Sequence, residues 1–139
     1  MKNIFGRSHK DQIVLFDPAL ASQNIGDEII SDSACKWPQP LFKDEFVLHV
    51  SSHQKMSFRY KRYLNDSKLT FVLGSNLLKS GMLFGFRQWD VSLFDTFQVN
   101  DAVLVGCGWH TYEKHIDPYS KLLYRRLLSD HYLHSVSDE

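Results

Sequence analysis

Four five-residue apolar runs constrain this chain more than any other feature: IVLFD at 13–17, FVLHV at 46–50, LTFVL at 69–73 and AVLVG at 102–106. None alternates apolar with polar residues. A strand with one wet face alternates, because successive side chains point to opposite faces; a strand that stays apolar is covered on both. Helical patterns lie between these runs, and LHSV at 133–136 reads as the start of a further strand. The order predicts an α/β fold: a Rossmann-like, doubly wound, mainly parallel sheet of about five strands with right-handed crossovers. With 139 residues, the chain fits one such domain over 1–139.

The connecting segments vary in strength. From Gly26 onward Ile25, Ile29, Ile30 and Ala34 fall at helical spacing, and Trp37-Pro38-Gln39-Pro40 ends that helix. Ser51 or Ser52 is placed to cap a basic amphipathic helix running through Met56, Tyr60, Tyr63 and Leu64. Segment 77–87, with Gly81 and Gly85, is irregular, and a helix over 88–97 would put Trp89, Leu93 and Phe97 on one stripe. Asp117-Pro118 opens the best-formed helix, with an Asp at the cap, Pro at the first position and Leu122, Leu123, Leu127 and Leu128 behind it. Trp89, Phe94 and Phe97 read as core or interface rather than as a base-stacking platform. Lys55, Arg59, Lys61 and Arg62 read as a solvated helix face, as do Arg125 and Arg126.

Composition excludes several classes of function. Sixteen basic residues balance sixteen acidic ones, so no net field draws nucleic acid or an anionic membrane. No apolar run approaches the ~20 residues of a membrane span, and the opening MKNIFGRSHKDQ has no apolar signal core. Cys35 and Cys107 fit no metal spacing and read as free thiols of a reducing compartment, so a cytoplasmic protein without a metal is expected. There is no GxGxxG after the first run and no P-loop, so neither a dinucleotide nor an ATP site is supported and no cofactor is expected.

Ligands of doubly wound sheets bind at the carboxyl edge of the strands. Three segments expected there carry small and polar residues: Asn24-Ile25-Gly26-Asp27, Gly74-Ser75-Asn76 and Gly106-Cys107-Gly108-Trp109-His110. Glycines let the backbone approach a ligand, and a helix starting at Asn24 offers free N–H groups. Asp27 would repel phosphate and suits hydroxyl binding or proton abstraction; as a favoured cap residue it could equally be only a helix cap. His49, inside a strand, reads as structural. His53, His110 and His115 fall in or near edge loops, and His110, just after the glycines, is the leading acid/base candidate.

Taken in order, ASQNIGDEII, KLTFVLGSNLL, RQWDVSLFD, AVLVGCGWHTY and LHSVSDE are similar to the amino-terminal half of the polysaccharide pyruvyl transferase family, over roughly residues 13–139. The resemblance implies one lobe of a two-lobed enzyme resembling a GT-B glycosyltransferase. Such enzymes move pyruvate from phosphoenolpyruvate onto a glycan sugar as a ketal. The family's N-x-G-D motif falls on Asn24, Gly26 and Asp27; its G-G-x-N-L-L stretch on Gly74, Ser75, Asn76, Leu77 and Leu78; its G-x-G-W stretch on Gly106, Gly108 and Trp109. On this reading Asp27 and His110 are catalytic, and Asn24, Gly26, Gly74, Ser75, Asn76, Gly106, Gly108 and Trp109 bind substrate. The substrates are phosphoenolpyruvate and a glycan acceptor.

Three departures from the family pattern bear on that expectation. Ser75 replaces the second of two glycines, narrowing the room for a ligand. Ser135-Val136-Ser137-Asp138 stands where the family reads S-V-R-D, so a cation is missing. The chain also ends at Glu139, where the resemblance implies a second lobe. An isolated amino-terminal lobe is expected to be inactive alone and to self-associate through an apolar face near Leu127, Leu128, Tyr132 and Leu133. Two alternatives stand beside this reading: a fragment of a nucleotide-sugar glycosyltransferase, and a non-catalytic domain binding a carbohydrate or a partner chain.

Overall fold

In the computed structural model, residues 11–99, 101–111 and 113–137 are described; the segment 1–10 and Asp138, both used in the sequence reading, lie outside them. Five strands form one sheet: β1 (Gln12–Asp17), β2 (Phe46–Ser51), β3 (Ser67–Leu78), β4 (Ala102–Trp109) and β5 (Ser135–Val136). Their spatial order is β2-β1-β3-β4-β5 and every pairing is parallel. The doubly wound α/β architecture is thus the one the apolar runs predict. Within β1 the alternation explains the runs. Ile13 and Leu15 enter one apolar cluster with Leu73, while Val14 and Phe16 enter a second with Val72, Trp89, Leu104, Leu123 and Leu127. Both faces are covered, so both parities must be apolar.

Three helices lie between the strands: α1 (Ile25–Lys36), α2 (Lys61–Asn65) and α3 (Pro118–Leu127). α3 forms as its cap predicts. Asp117 Oδ1 accepts from the Ser120 amide, while Oδ2 accepts from the Gly81 amide at 2.6 Å and the Ser80 hydroxyl at 2.8 Å. One carboxylate therefore both caps α3 and ties down the loop after β3. Burial opposes its charge, yet these donors outweigh that cost and hold its pKa far below the ordinary carboxylate value.

Several expected elements differ. The basic helix after β2 shrinks to a 3-10 turn (Phe58–Tyr60) and the five residues of α2; Met56 and Leu64 are buried while Tyr60 and Tyr63 are exposed. The side chains of Lys61 and Arg62 lie outside the described set. The helix expected over 88–97 is only a 3-10 turn, Leu93–Phe97. One long-range bond and one local cap explain its late start. The Asp90 amide is committed to Ser52 O at 2.9 Å, and Ser92 and Asp95 close a capping box. Trp89 is consequently fully buried, edge-on to Phe16, whereas Phe94 and Phe97 face solvent. The proposed stripe is therefore split.

Only part of the apolar face expected for α1 meets the sheet: Ile30 lies against Gly74 and Ala34 packs on the cluster of Ile13, Leu15 and Leu73. Ile25 and Ile29 are 72% and 61% exposed, and the buried residues of the helix are Asp27 and Ser31. The polar stripe Asp27–Ser31–Cys35, spaced four apart, meets polar groups at the strand ends. Gly74 permits the close approach: a Cβ there would lie 2.8 Å from Ile30 Cγ2. Leu127, expected on an exposed face, is instead fully buried, since it is the inward residue of α3 packed on β4. Leu133 (96% exposed) and Tyr132 are open, and border an apolar cleft of about 410 Å³ with Trp37, Phe71 and Val105.

Asp117 yields a stability test. Its folded pKa lies below the unfolded one, so its contribution is full above the unfolded value near 3.8 and lost as pH falls through and below it. Thermal melts should show Asp117→Ala destabilised by ~1–2 kcal/mol near neutral pH. Asp117→Asn, which still caps, should melt closer to the parent and lose less stability on acidification.

Candidate functional site

The carboxyl ends of β1, β2 and β3 converge on the start of α1. The side chain of Asn24 accepts from the Gly26 amide at 2.9 Å, so Asn24 is the cap of α1. Asp27, three residues on, is not the cap. Its carboxylate is turned inward, 7% exposed, and is held by side chains of other segments. Ser22 Oγ donates to Oδ2 at 2.6 Å and Ser75 Oγ to Oδ1 at 3.2 Å. His53 Nε2 lies 3.5 Å from Oδ2. Of the two readings of Asp27, helix cap or site residue, the geometry removes the first.

Ser75 reaches Asp27 at a conformational cost. Its φ is +100°, in the left-handed region where glycine is favoured, beside an irregularity in the β3–β4 register. A serine holding such a backbone stores strain of ~1–3 kcal/mol, and such strain clusters at binding and catalytic sites. The sequence places Gly74-Ser75-Asn76 and Gly106 to His110 in loops. In the structure β3 continues through Leu78 and β4 through Trp109, so all but His110 lie within strands. Paired strands extend because Ser75 matches Cys107 and Leu78 matches Trp109 across the ladder.

Beyond that point the edge is formed by Asn76, Gly108, Trp109 and His110. A Cβ on Gly108 would lie 2.4 Å from Asn76 Oδ1 and 2.7 Å from Ser137 Oγ, so glycine brings these polar groups against the backbone. Gly106, at φ +65°, faces open space. Trp109 packs edge-on against Tyr124, whose hydroxyl is pinned by the Lys79 backbone and whose pKa burial pushes up to about 12. His110 is exposed; its amide donates to Leu78 O at 2.7 Å. The structure therefore brings Asn24, Gly26, Asp27 and Ser75 together. Asn76, Gly108 and Trp109 form a neighbouring rim, and His110 lies outside the Asp27 cluster.

His53 and Ser22 are the members that sequence reasoning underweighted. Ser22 stands two residues before the cap and donates to the carboxylate three residues after it, a pattern readable only once Asn24 is known to cap. His53 is brought in by a serine hinge: Ser51 Oγ accepts the His53 amide and donates to Leu20 O.

A second polar group lies under the middle of α1. Asp17, at the end of β1, accepts from His49 Nδ1 at 2.9 Å and from the Ala19 amide at 2.9 Å. Burial raises its pKa, but hydrogen bonds from His49, Ser31 and Ala19 outweigh this and hold it low. Cys35 lies with this pair, the three ligand atoms being within 4.8 Å of one another. Burial and the carboxylates of Asp17 and Asp32 push the Cys35 thiol up, a weak hydrogen bond with Ser31 opposing them. Asp17 and His49 satisfy each other and tie β1 to β2. Cys107 is buried, donates to Val72 O, and has its pKa pushed up to about 12, so it is an inert thiol.

No family model, curated protein or solved structure matches this chain. Among the described residues no helix is long and apolar enough to cross a membrane.

The strained serine gives a sharp comparison. Ser75→Gly relieves the left-handed backbone but also removes the donor to Asp27, so its stability in urea unfolding should stay close to the parent. Ser75→Ala keeps the strain and removes a partner of a buried carboxylate, and should cost ~1–3 kcal/mol.

Proposed function

We propose that this chain is the acceptor-side lobe of a polysaccharide pyruvyl transferase-like enzyme, binding sugar hydroxyls at Asp27. One observation carries the reading. A buried carboxylate at the carboxyl edge of a parallel sheet is free of capping duty and is surrounded by hydrogen-bond donors and an imidazole. Such a group accepts a hydroxyl proton and repels phosphate, which suits an acceptor subsite better than a donor subsite.

The chemistry assigns parts to these residues. Ketal transfer adds one hydroxyl oxygen to the enol carbon of phosphoenolpyruvate and a proton to the methylene; a second hydroxyl then displaces phosphate. Two hydroxyl protons are released, one balancing the new methyl group and one leaving with phosphate. Asp27 orients the attacking hydroxyl and stabilises its proton as it departs, while Ser22 and Ser75 fix the carboxylate. Asn76 and Trp109, on the neighbouring rim, supply a polar and an apolar contact to the sugar ring. On this reading the cations that hold the anionic donor come from a second lobe. Arg87 is occupied by Asp90 at 3.0 Å and by the carbonyls of Met82 and Val91. On this reading the reaction is cytoplasmic, and two free thiols are compatible with a reducing compartment.

Two measurements test this. Titrating glycans that carry adjacent hydroxyls into the labelled chain should move the amides of residues 22–27 and 75–76, and Asp27→Asn should abolish the effect without unfolding the protein. Phosphate release from phosphoenolpyruvate by the chain alone should stay at background. A nucleotide sugar that moves the same amides while glycans do not would overturn the reading in favour of a glycosyltransferase.

A further inference from the structure

A second group of chemistry-bearing side chains lies on the face of the sheet beneath α1, apart from the Asp27 cluster. The two-residue period of the strands puts it there. Ile13, Leu15 and Asp17 of β1 share one parity, and His49 stands opposite Leu15 in the β1–β2 register. Ile13 and Leu15 belong to the apolar cluster against which Ala34 and Cys35 of α1 pack, so this parity faces the helix. Asp17 and His49 follow on the same parity and therefore lie under the last turns of α1. Asp17, Cys35 and His49 each offer one ligand atom, and these atoms all lie within 4.8 Å of one another.

Geometry bounds what three such donors can hold. Zinc takes sulfur at ~2.3 Å and imidazole nitrogen or carboxylate oxygen at ~2.0–2.2 Å, so ligand atoms around a tetrahedral ion stand ~3.3–3.6 Å apart. Asp17 Oδ2 and His49 Nδ1, now 2.9 Å apart across a shared hydrogen, need only part slightly for an ion to replace that hydrogen. The longer separations are those to Cys35 Sγ, which must advance by ~1 Å. Its hydrogen-bond contact is with Ser31 Oγ at 3.9 Å, a weak restraint.

Room and access are also present. A cavity of about 310 Å³ opens onto Cys35 and His49, walled by Phe42 and Val47 and by the exposed Asp32–Lys36 pair. Cys35 is half-buried and the His49 side chain 41% exposed, while Asp17 closes the inner side. An ion can thus enter from the cavity and stop at the carboxylate. Charge closes as well: one thiolate and one carboxylate offset a dication, leaving no net charge where burial would make one costly.

We infer that Asp17, Cys35 and His49 form a binding site for a zinc-like divalent cation, with the fourth coordination position open to the cavity. Sulfur, imidazole and carboxylate together select a borderline ion over magnesium or calcium, which take oxygen ligands. On binding, the S–H bond of Cys35 breaks and its proton goes to solvent. The hydrogen between Asp17 and His49 leaves Nδ1, and no electron is transferred. The ligands come from β1, α1 and β2, so no spacing in the sequence announces them. Cys35 lies about two turns along α1 from Asp27, and the site stands whether or not Asp27 binds a sugar.

The full chain, stripped with a chelator, should bind a single equivalent of zinc in calorimetry, whereas magnesium should give no heat. Cobalt(II) in its place should show the near-ultraviolet charge-transfer band of a thiolate ligand. Cys35→Ser should remove that band, and Cys107→Ser should keep it, because Cys107 lies in the other apolar cluster. His49→Gln leaves an amide to donate to Asp17, yet should weaken zinc binding at least ~10-fold, the lower range of loss even for partners that only support a metal ligand. Zinc should also slow alkylation of Cys35 in the unaltered chain, a reading that requires no variant to fold. Four results each overturn the inference: cobalt bound without the thiolate band, a band that survives Cys35→Ser, zinc affinity unchanged in His49→Gln, or alkylation at one rate with and without zinc.

Discussion

The buried carboxylate of Asp27 organises the upper edge of this sheet. An ionised group cannot be removed from water unless its oxygens are met by donors. Here the donors come from two places, Ser22 before α1 and Ser75 on β3, with the imidazole of His53 3.5 Å from Oδ2. Satisfying it therefore sets the rotation of α1 about its axis. Once Asp27 faces inward, helical spacing brings Ser31 and Cys35 inward with it and turns Ile25 and Ile29 to solvent. The polar stripe of the helix meets the polar ends of the strands.

That arrangement also needs the strands to be long. β3 and β4 continue past the apolar runs, carrying Ser75 and Asn76 upward on an ordered ladder rather than on a loop. A side chain on a paired strand is placed more accurately than one on a loop. Glycine serves two different purposes along the way. At Gly74 it admits Ile30 of α1; at Gly108 it admits the side chains of Asn76 and Ser137. Both are close approaches between protein segments, so these glycines shape the protein as well as any space for a ligand.

The sheet was legible because its information is local and redundant. The runs are apolar at both parities, the pattern of a doubly covered strand, although β2, at the sheet edge, is covered only in part, with Phe46 exposed. The start of α3 was legible for the same reason, since Asp117 and Pro118 carry cap chemistry in two adjacent letters. The helices expected over 51–64 and 88–97 were not, because their fate is decided by partners distant in sequence. The Asp90 amide goes to Ser52, and His53 is drawn to Gln88 O rather than to a helical turn. Helical spacing identified the apolar residues of α1, of which Ile30 and Ala34 meet the sheet, yet it could not say that Asp27 and Ser31 would be the buried ones. An Asp buried by two serines reads, in sequence, like any helix start. His53 was visible as an edge histidine, but its ring is held beside Asp27 by a carbonyl 35 residues away.

Ser75 shows how the same site can tolerate a departure from an all-glycine turn. A glycine there would adopt φ near +100° at no steric cost, and its absence of side chain would leave Asp27 with one fewer donor. Serine reverses the balance: the backbone is strained, and the hydroxyl stabilises the carboxylate at 3.2 Å. Strain of this size is comparable to a hydrogen bond to a charged group, ~1.5–3 kcal/mol, so the two nearly offset. The hydroxyl is then retained at little net stability, while the carboxylate it holds is fixed in direction. Oδ1 is tied to Ser75 and Oδ2 to Ser22, which fixes the plane of the carboxylate.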